Sequence, residues 1–193
     1  MIDTLKAVEA DIARRLVAGE HDRRSAMHTP VIATADADMR VMVLRHFDED
    51  RWILRFHTDS RAPKVAAIAG GAPVGVLFYD REAKVQIRCH GFGRIEVDGS
   101  VADRAWNEST NFARRCYLGA GPGEGAVGPT SGLPERFEGV EPSDGDLAPV
   151  RDNFAVLIVE LASLDWFYLS NDGHRRARLE RTGGEWSGSW IAP

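Results

Sequence analysis

Hydrophobic positions repeat with a helical period near the start of the chain and with a strand period over much of the remainder. Leu5, Val8, Ile12 and Leu16 are separated by three and four residues, and Gly19 follows them. This spacing predicts a short amphipathic helix that stops at the glycine.

From residue 30 onward, short runs rich in β-branched and aromatic residues are separated by turn residues, which predicts antiparallel strands joined by hairpins. The predicted strands cover residues 31–34, 40–47, 52–58, 74–79, 85–97, 154–161, 166–170 and 175–181, with a last strand that ends near residue 193. Two further helices are predicted between them. One begins near Pro63 and stops at Gly70, and the other covers residues 100–116.

Residues 119–149 differ from the rest of the chain, because they hold eight glycines and five prolines. This composition predicts a long loop rather than a regular element. The strands and helices do not alternate in the βαβ order of a parallel sheet, and many short antiparallel strands with few helices are typical of barrels and sandwiches. We therefore predict a single domain over residues 1–193, mainly β within the α+β class.

Composition and charge exclude several function classes. The 193 residues are 44% hydrophobic and 27% charged, as in ordinary globular domains, and the formal net charge is −5. A general nucleic-acid binder needs a basic surface, so we expect no nucleic-acid partner. The chain contains no run of about 18 apolar residues, so we expect no membrane-spanning helix. The two cysteines have the spacing of neither a disulfide scaffold nor a zinc site. We expect a cytoplasmic protein without a metal site.

Two segments combine basic and hydroxyl side chains in an anion-binding pattern. Ser60, Arg61 and Lys64 lie at the start of the second predicted helix, where free N–H groups and the helix dipole favour a phosphate. In the predicted strand over residues 40–47, alternation puts Arg40 and Arg45 on opposite faces, so we expect Arg40 to face a phosphate and Arg45 a second ligand. A solvated basic turn is the alternative interpretation of the same residues.

These segments resemble the pyridoxamine 5′-phosphate oxidase-like, FMN-binding split-barrel family. The family pattern is R-x-x-x-L-[KR], then [FY]-x-T-x-S-R-x-x-K, then Q-x-x-x-x-G, and residues 40–45, residues 56–64 and Gln86 with Gly91 match it in that order. The resemblance implies a split β-barrel of antiparallel Greek-key strands with a few flanking helices. It also implies an FMN-dependent oxidoreductase that acts on a small-molecule substrate, as a homodimer with flavin sites at the interface.

The resemblance assigns binding roles to individual residues. Those expected to contact FMN are Arg40, Val41, Met42, Val43, His57, Thr58, Ser60, Arg61, Lys64, Gln86, Thr130, Ser131, Tyr168 and Arg178. Those expected to contact the substrate are Arg45, Arg115, Tyr117 and Arg176. Within this set, the long loop and the terminal strands are expected to act from the second subunit of the dimer.

The chain departs from authentic pyridoxamine 5′-phosphate oxidases where those enzymes hold their substrate. Arg45 stands in place of a lysine, and residues 175–178 lack the histidine of the family's Arg-Leu-His sequence. We therefore expect pyridoxine 5′-phosphate to be a poor substrate. An oxidase and a reductase both fit these residues. A flavin-binding module without turnover and a split barrel that binds deazaflavin or haem are the alternatives.

Overall fold

The computed structural model describes residues 2–193, which form one antiparallel sheet of nine strands with short helices around it. The strands are β1 (Val31–Thr34), β2 (Met39–Val41), β3 (Leu44–Asp48), β4 (Ile53–Asp59), β5 (Ala72–Asp80), β6 (Val85–Glu96), β7 (Phe154–Tyr168), β8 (Arg175–Thr182) and β9 (Glu185–Ile191). The helices are α1 (Leu5–His21), α2 (Pro63–Ile68), α3 (Gly99–Glu108), α4 (Asn111–Arg114) and α5 (Asp144–Leu147). The predicted class, mainly β with a few helices, is confirmed.

The strand order is β2-β1-β5-β6-β7-β4-β3, and β8 and β9 extend the sheet from β7. β7 has three partners, because residues 154–160 pair with β4, residues 163–168 pair with β8, and β6 runs along its other edge. The sequence predicted two strands here, over residues 154–161 and 166–170. That prediction is wrong. The strand continues through Ser163 and Asp165 because the buried Asp165 carboxylate is ion-paired with Arg88 and Arg176.

A bulge at Ala162 of β7, opposite His90 and Gly91 of β6, shifts the register of this strand pair where the two backbones come close. A Cβ atom at position 91 would lie 2.2 Å from the carbonyl oxygen of Glu160 on β7. Only glycine fits at this contact, which explains the glycine of the Q-x-x-x-x-G sequence.

Two hydrophobic clusters hold the helices to the sheet. The larger cluster lies between α1 and one face of the sheet, where α1 buries Val8, Ile12 and Leu16, so the predicted amphipathic helix is confirmed. The helix continues two residues beyond the predicted stop at Gly19. The glycine stays helical because its missing Cβ leaves room for Met27, which would otherwise lie 2.8 Å away.

The smaller cluster lies between α3 and the opposite face of the sheet. It contains Ala102, Ala105 and Trp106 of α3 together with Phe154, Val156 and Ile158 of β7. Helical and sheet residues thus cover both faces of the first half of β7, as expected for a strand with a continuous hydrophobic sequence. Within residues 2–193, no helix has the length and apolar character needed to cross a membrane.

The strand predicted over residues 40–47 is two strands. β2 ends at Val41 and β3 begins at Leu44, and the two lie at opposite ends of the strand order. The backbone N–H groups of Met42 and Leu44 donate to the carbonyl oxygens of Pro30 and His28, at 3.0 and 2.8 Å. The chain therefore crosses from one edge of the sheet to the other while its backbone stays hydrogen-bonded.

The helix predicted over residues 100–116 is also interrupted. α3 ends at Glu108, and α4 begins after Thr110, whose hydroxyl accepts a hydrogen bond from the N–H of Ala113 at 3.2 Å. Threonine is a favoured N-cap residue, so this contact starts a new helix instead of continuing the old one. A 3₁₀ helix (Arg115–Leu118) follows. Residues 119–149 are irregular as predicted, apart from a 3₁₀ turn (Glu135–Phe137), α5 and the start of a 3₁₀ helix (Ala148–Asn153).

A buried carboxylate fastens α1 to the sheet. Asp11 is 7% exposed and accepts hydrogen bonds from Trp166 Nε1 at 3.0 Å and Arg15 Nε at 2.8 Å, and it also pairs with Arg14. Arg15 in turn reaches the carboxylate of Asp80 at 3.0 Å. Burial alone would raise the pKa of Asp11, but the bonds from Arg15 and Trp166 outweigh it and hold the pKa below its ordinary value.

We expect Asp11→Asn to lower the free energy of unfolding by about 3 kcal/mol at neutral pH, because it removes the buried carboxylate that accepts hydrogen bonds from Arg15 and Trp166. The folded-state pKa of Asp11 lies below its unfolded-state value, so this stabilisation is complete above about pH 4 and is lost as the pH falls through the folded-state pKa. Urea denaturation at several pH values would show the difference between wild type and variant shrinking in acid.

Asp50→Asn is the matched control, because Asp50 is exposed. It should change the free energy of unfolding by less than about 0.5 kcal/mol. Equal losses in the two variants would contradict the role given to the buried carboxylate.

Candidate functional site

A cavity of about 380 Å³ lies where the ends of β2 and β4 meet α2 and the segment after α3. Its size is within the range of small-molecule sites, roughly 300–1,000 Å³. The residues that line it are Arg40, Val41, Met42, Val43, Arg45, His57, Thr58, Asp59, Lys64, Ser109, Ala113, Cys116, Tyr117 and Pro122. We call it the basic cavity, because three of its side chains are cationic and one is anionic.

Arg40 and Lys64 form one end of the basic cavity. Arg40 donates to the hydroxyl of Thr34 at 3.2 Å and pairs with the carboxylate of Asp38. Lys64 is half-buried and has no ion-pair partner within residues 2–193. Burial and the nearby charge of Arg40 lower the pKa of Lys64. A bound anion would offset both effects, because its negative charge would stabilise the charged ammonium group of Lys64.

Arg45 defines the other end of the basic cavity, beside His57, Cys116 and Tyr117. No residue in the described range 2–193 forms an ion pair with it. Burial, together with the charges of Arg45 and Arg55, lowers the pKa of His57 to about 3. Burial raises the pKa of the Cys116 thiol and of the Tyr117 phenol. At neutral pH, His57 is uncharged and the other two groups keep their protons.

The break after β2 brings both predicted arginines to one cavity. A continuous strand would have put Arg40 and Arg45 on opposite faces, and that expectation is wrong. Because Met42 and Val43 form a link between two strands, both arginine side chains line the basic cavity, at its two ends.

Ser60 and Arg61 lie beside the basic cavity and do not line it. The Ser60 hydroxyl donates to the carbonyl oxygen of Asp152 at 2.8 Å. Arg61 binds the carboxylate of Asp59 through two nitrogens, at 2.9 and 2.7 Å, and its third nitrogen donates to the carbonyl oxygen of Gly119 at 3.1 Å. The guanidinium thereby neutralises the carboxylate of the cavity wall and fastens the start of the 119–149 loop.

The structure places three further predicted residues on the outer face of the sheet, away from the basic cavity. These residues are Gln86, Arg176 and Arg178. Gln86 pairs with Phe167, and Phe167 pairs with Arg176, so the side chains of Gln86 and Arg176 point to the same face. Arg178 is two residues further along β8 than Arg176 and therefore points to this face as well. Arg176 binds Asp165 at 3.0 and 2.8 Å, and Arg178 pairs with its strand neighbour Glu180 at 2.8 Å.

The same outer face carries an apolar patch formed by Val31, Met39, Val41, Leu77 and Tyr79. The patch is continuous because Val31 pairs with Val41 on one side and with Leu77 on the other. Met39 and Val41 are 66% and 64% exposed. Exposed apolar patches of this kind mark protein interfaces. Val41 belongs both to this outer-face patch and to the wall of the basic cavity.

The remaining predicted residues have local partners. Ser131 donates to Glu138 at 2.6 Å, and the hydroxyl of Thr130 accepts from a backbone N–H two residues ahead, so both stay within the long loop. Arg115 donates to the carbonyl oxygens of Phe137 and Val140, at 3.2 and 3.3 Å, and so braces that loop. Tyr168 lines another cavity, beside α1.

Several residues of the basic cavity were not predicted from the sequence. Ser109, Ala113 and Cys116 reach it because the helix breaks near Thr110, and Pro122 reaches it from the long loop. No spacing pattern marks these positions. Asp59 stood inside the matched motif at a position that the family pattern leaves variable.

Comparison with known proteins identifies relatives of the chain. Residues 12–97 match the family model described as "Pyridoxamine 5′-phosphate oxidase, FMN-binding domain". A pyridoxamine 5′-phosphate oxidase-related, FMN binding protein from Nostoc punctiforme PCC 73102 superposes with a TM-score of 0.75 and is 25% identical, over 99% of this chain and 100% of that one. No curated protein sequence matches the chain.

Two more solved structures share the fold at lower identity. PhzG from Burkholderia lata 383, in complex with tetrahydrophenazine-1-carboxylic acid, is 19% identical with a TM-score of 0.68, over 95% of this chain and 91% of that one. A general stress FMN/FAD binding protein from Xanthomonas citri is 16% identical with a TM-score of 0.51, over 86% and 92% of the two chains. These similarities confirm the predicted split-barrel architecture.

We expect Arg61→Ala to expose the long loop to proteolysis. Removing one charged hydrogen bond costs about 1.5 kcal/mol, which raises the open population of the loop roughly tenfold. Trypsin cleavage at the exposed Arg136 should accelerate by a similar factor, read by mass spectrometry. Arg81→Ala removes an exposed arginine from the β5–β6 turn and should leave the cleavage rate unchanged. An unchanged cleavage rate in Arg61→Ala would show that the hydrogen bond from Arg61 to the Gly119 carbonyl oxygen does not hold the loop in place.

Proposed function

We propose that the chain is an FMN-dependent oxidoreductase of the pyridoxamine 5′-phosphate oxidase-like, FMN-binding split-barrel family and that it acts as a homodimer. The family-model match over residues 12–97 and the similarity to the Nostoc punctiforme protein support this proposal. The observation that carries the proposal is the basic cavity, whose Arg40 and Lys64 end suits a monophosphate. The family match supports FMN and gives no support to the deazaflavin and haem alternatives.

The side chains of the basic cavity suit FMN in charge and shape. Arg40 and Lys64 would hold the phosphate, while Val41, Met42, Val43, His57 and Thr58 would lie along the remainder of the cofactor. Ser60 and Arg61 belong to the family's phosphate motif, and we propose that here they act on the phosphate site through the residues they hold in place. For Arg61 those residues are Asp59 and the loop at Gly119.

When bound, FMN supplies the hydride-transfer chemistry, and the protein supplies binding, orientation and electrostatics. His57 has a pKa of about 3 and is therefore a neutral imidazole, not an imidazolium acid, at neutral pH. Tyr117 keeps its proton, because burial raises its pKa. Arg45, at the end opposite Lys64, suits an anionic group of the substrate. We propose Tyr117, Arg115 and Arg176 as further substrate contacts on the family pattern.

The homodimer would complete each site with residues from the second subunit. Gln86, Arg176 and Arg178 lie on the outer face, away from their own cavity, and Val41 joins that face to the cavity wall. A two-fold axis that pairs the outer-face patches would therefore bring such residues of the partner subunit towards the flavin. Thr130, Ser131 and Tyr168 stay assigned to FMN by the family pattern alone.

We expect FMN to bind with a dissociation constant of about 1 μM or below, and riboflavin more weakly, because riboflavin has no phosphate for Arg40 and Lys64. Lys64→Met should weaken FMN about tenfold, the effect of losing one charged hydrogen bond, and should leave riboflavin affinity unchanged. Titration calorimetry with both ligands measures the two effects.

Lys6→Met is the matched control for this titration, since Lys6 is exposed on α1 and distant from the basic cavity. It should leave the affinity for FMN unchanged. Equal affinity of the wild type for FMN and riboflavin, or an unchanged FMN affinity in Lys64→Met, would refute the phosphate assignment.

Light scattering of the FMN-loaded protein should give about twice the 21.3 kDa chain mass. Leu77→Glu puts a charge into the outer-face patch, and we expect it to yield monomers that bind FMN at least tenfold more weakly, because each site then lacks its second subunit. Val127→Glu changes a fully exposed valine of the long loop and should keep the dimer. A monomeric wild type that binds one FMN per chain would exclude the shared site.

Turnover separates an oxidoreductase from a flavin-binding module. Anaerobic mixing with NADH or NADPH tests reduction of the bound flavin, and admission of oxygen to the reduced protein tests its reoxidation. Reduction by a nicotinamide identifies a reductase, and peroxide release with an organic substrate identifies an oxidase. A flavin that takes part in neither reaction would support the module without turnover.

A further inference from the structure

A second basic cavity, of about 240 Å³, lies between α3 and the face of the sheet that α3 covers. We call it the arginine cavity, because its wall includes Arg51, Arg55, Arg94 and Arg104. Asp48 is the carboxylate on this wall. Four arginines and one aspartate give the wall a formal charge of +3, in a protein whose net charge is −5.

Strand register fixes two of these arginines with respect to each other. Arg55 on β4 and Arg94 on β6 both pair with Ile158 on β7, from opposite sides. Neighbouring strands lie about 4.8 Å apart, so the two backbones are separated by about 10 Å with Ile158 between them. Arg104 reaches the same space from α3, and Arg51 from the turn between β3 and β4.

The guanidinium groups of the arginine cavity have donors to spare. Arg94 uses only its Nε, which pairs with Glu96 at 3.1 Å, and the guanidinium of Arg51 approaches the Asp48 carboxylate no closer than 4.0 Å. Within residues 2–193, Arg104 has no ion pair. Arg55 reaches Glu108 with one nitrogen at 3.4 Å, while its buried Nε has no partner among the described atoms. A buried donor without an acceptor is unfavourable, and an anion in the cavity would satisfy it.

The floor of the arginine cavity is apolar. Ile53, Ile158 and Val101 line it, and all three belong to or pack against the smaller hydrophobic cluster. An inorganic anion alone would leave this surface in contact with water. A ligand that combines an anionic group with a small apolar body would cover both parts of the wall.

We propose that the arginine cavity binds a phosphate monoester with a small apolar or aromatic body, at a site separate from the FMN cavity. Arginine suits phosphate because its planar group donates two parallel hydrogen bonds. The first turn of α3, represented by Ser100 and Val101, lies on the same wall and adds backbone N–H groups that have no partner within the helix.

The two cavities are neighbours on one strand. Arg55 lines the arginine cavity, and His57, two residues further along β4, lines the basic cavity. A ligand on Arg55 would therefore lie close to the flavin site without entering it. This proposal does not depend on FMN being the occupant of the basic cavity.

Calorimetric titration with phenyl phosphate tests the proposal, using protein saturated with FMN so that the basic cavity is filled. We expect saturable binding with a dissociation constant of about 1 mM or below. Arg94→Gln and Arg104→Gln should each weaken it about tenfold, as expected for the loss of one charged hydrogen bond. Both positions are on the surface, so the variants should fold, which circular dichroism checks.

Arg81→Gln carries the same change of charge at an exposed site remote from the arginine cavity, and it should bind phenyl phosphate as the wild type does. The Arg94 and Arg104 variants should keep the FMN affinity of the wild type, which separates this site from the basic cavity. No saturable binding below about 10 mM would overturn the proposal. The proposal would also be overturned if Arg94→Gln and Arg104→Gln left the affinity for phenyl phosphate unchanged. It would likewise be overturned if inorganic phosphate bound as tightly as phenyl phosphate.

Discussion

The antiparallel pairing of β7 with three other strands is the contact on which the remaining structure depends. Its first half holds β4, whose end supplies His57, Thr58 and Asp59 to the basic cavity. The same half packs against α3, and its second half brings Trp166 to Asp11 on α1. Because the first half of β7 is buried on both faces, its position sets the distance between the two helices and supports the stretch of β4 that lines both cavities. A change in this strand would therefore reach both sites.

Much of this fold could be predicted from local patterns, and the failures share one cause. Hydrophobic repeats every three to four residues and every two residues identify α1 and the hairpins correctly, and the glycine and proline content identifies the irregular 119–149 loop. Each of these features depends on residues close in sequence. The broken strand at Met42 depends on carbonyl groups of the preceding segment. The continuity of β7 through Asp165 depends on arginines of two other strands. Long-range partners of this kind leave no trace in a local pattern.

The candidate site shows the same limit at the level of side chains. The family motif identified Arg40, Lys64 and their neighbours, and these residues line one cavity. The motif also includes Arg61, whose partners are a carboxylate and a loop carbonyl. Spacing predicts that such residues lie close together, but which atom an arginine binds depends on the acceptors around it. Residues that the resemblance assigns to a second subunit, such as Arg176 and Arg178, lie on the outer face of their own chain, and the local sequence pattern contains no information about a partner chain.

The link between β2 and β3 gives the basic cavity a mechanical role. These strands are the two ends of the sheet order, and only Met42 and Val43 join them along the chain. A ligand that contacts both Arg40 on β2 and Arg45 on β3 would bridge the seam of the barrel. Its binding energy would then oppose the separation of the two edges, by the ordinary linkage between binding and folding. A ligand bound in this cavity would therefore stabilise the closed form of the barrel.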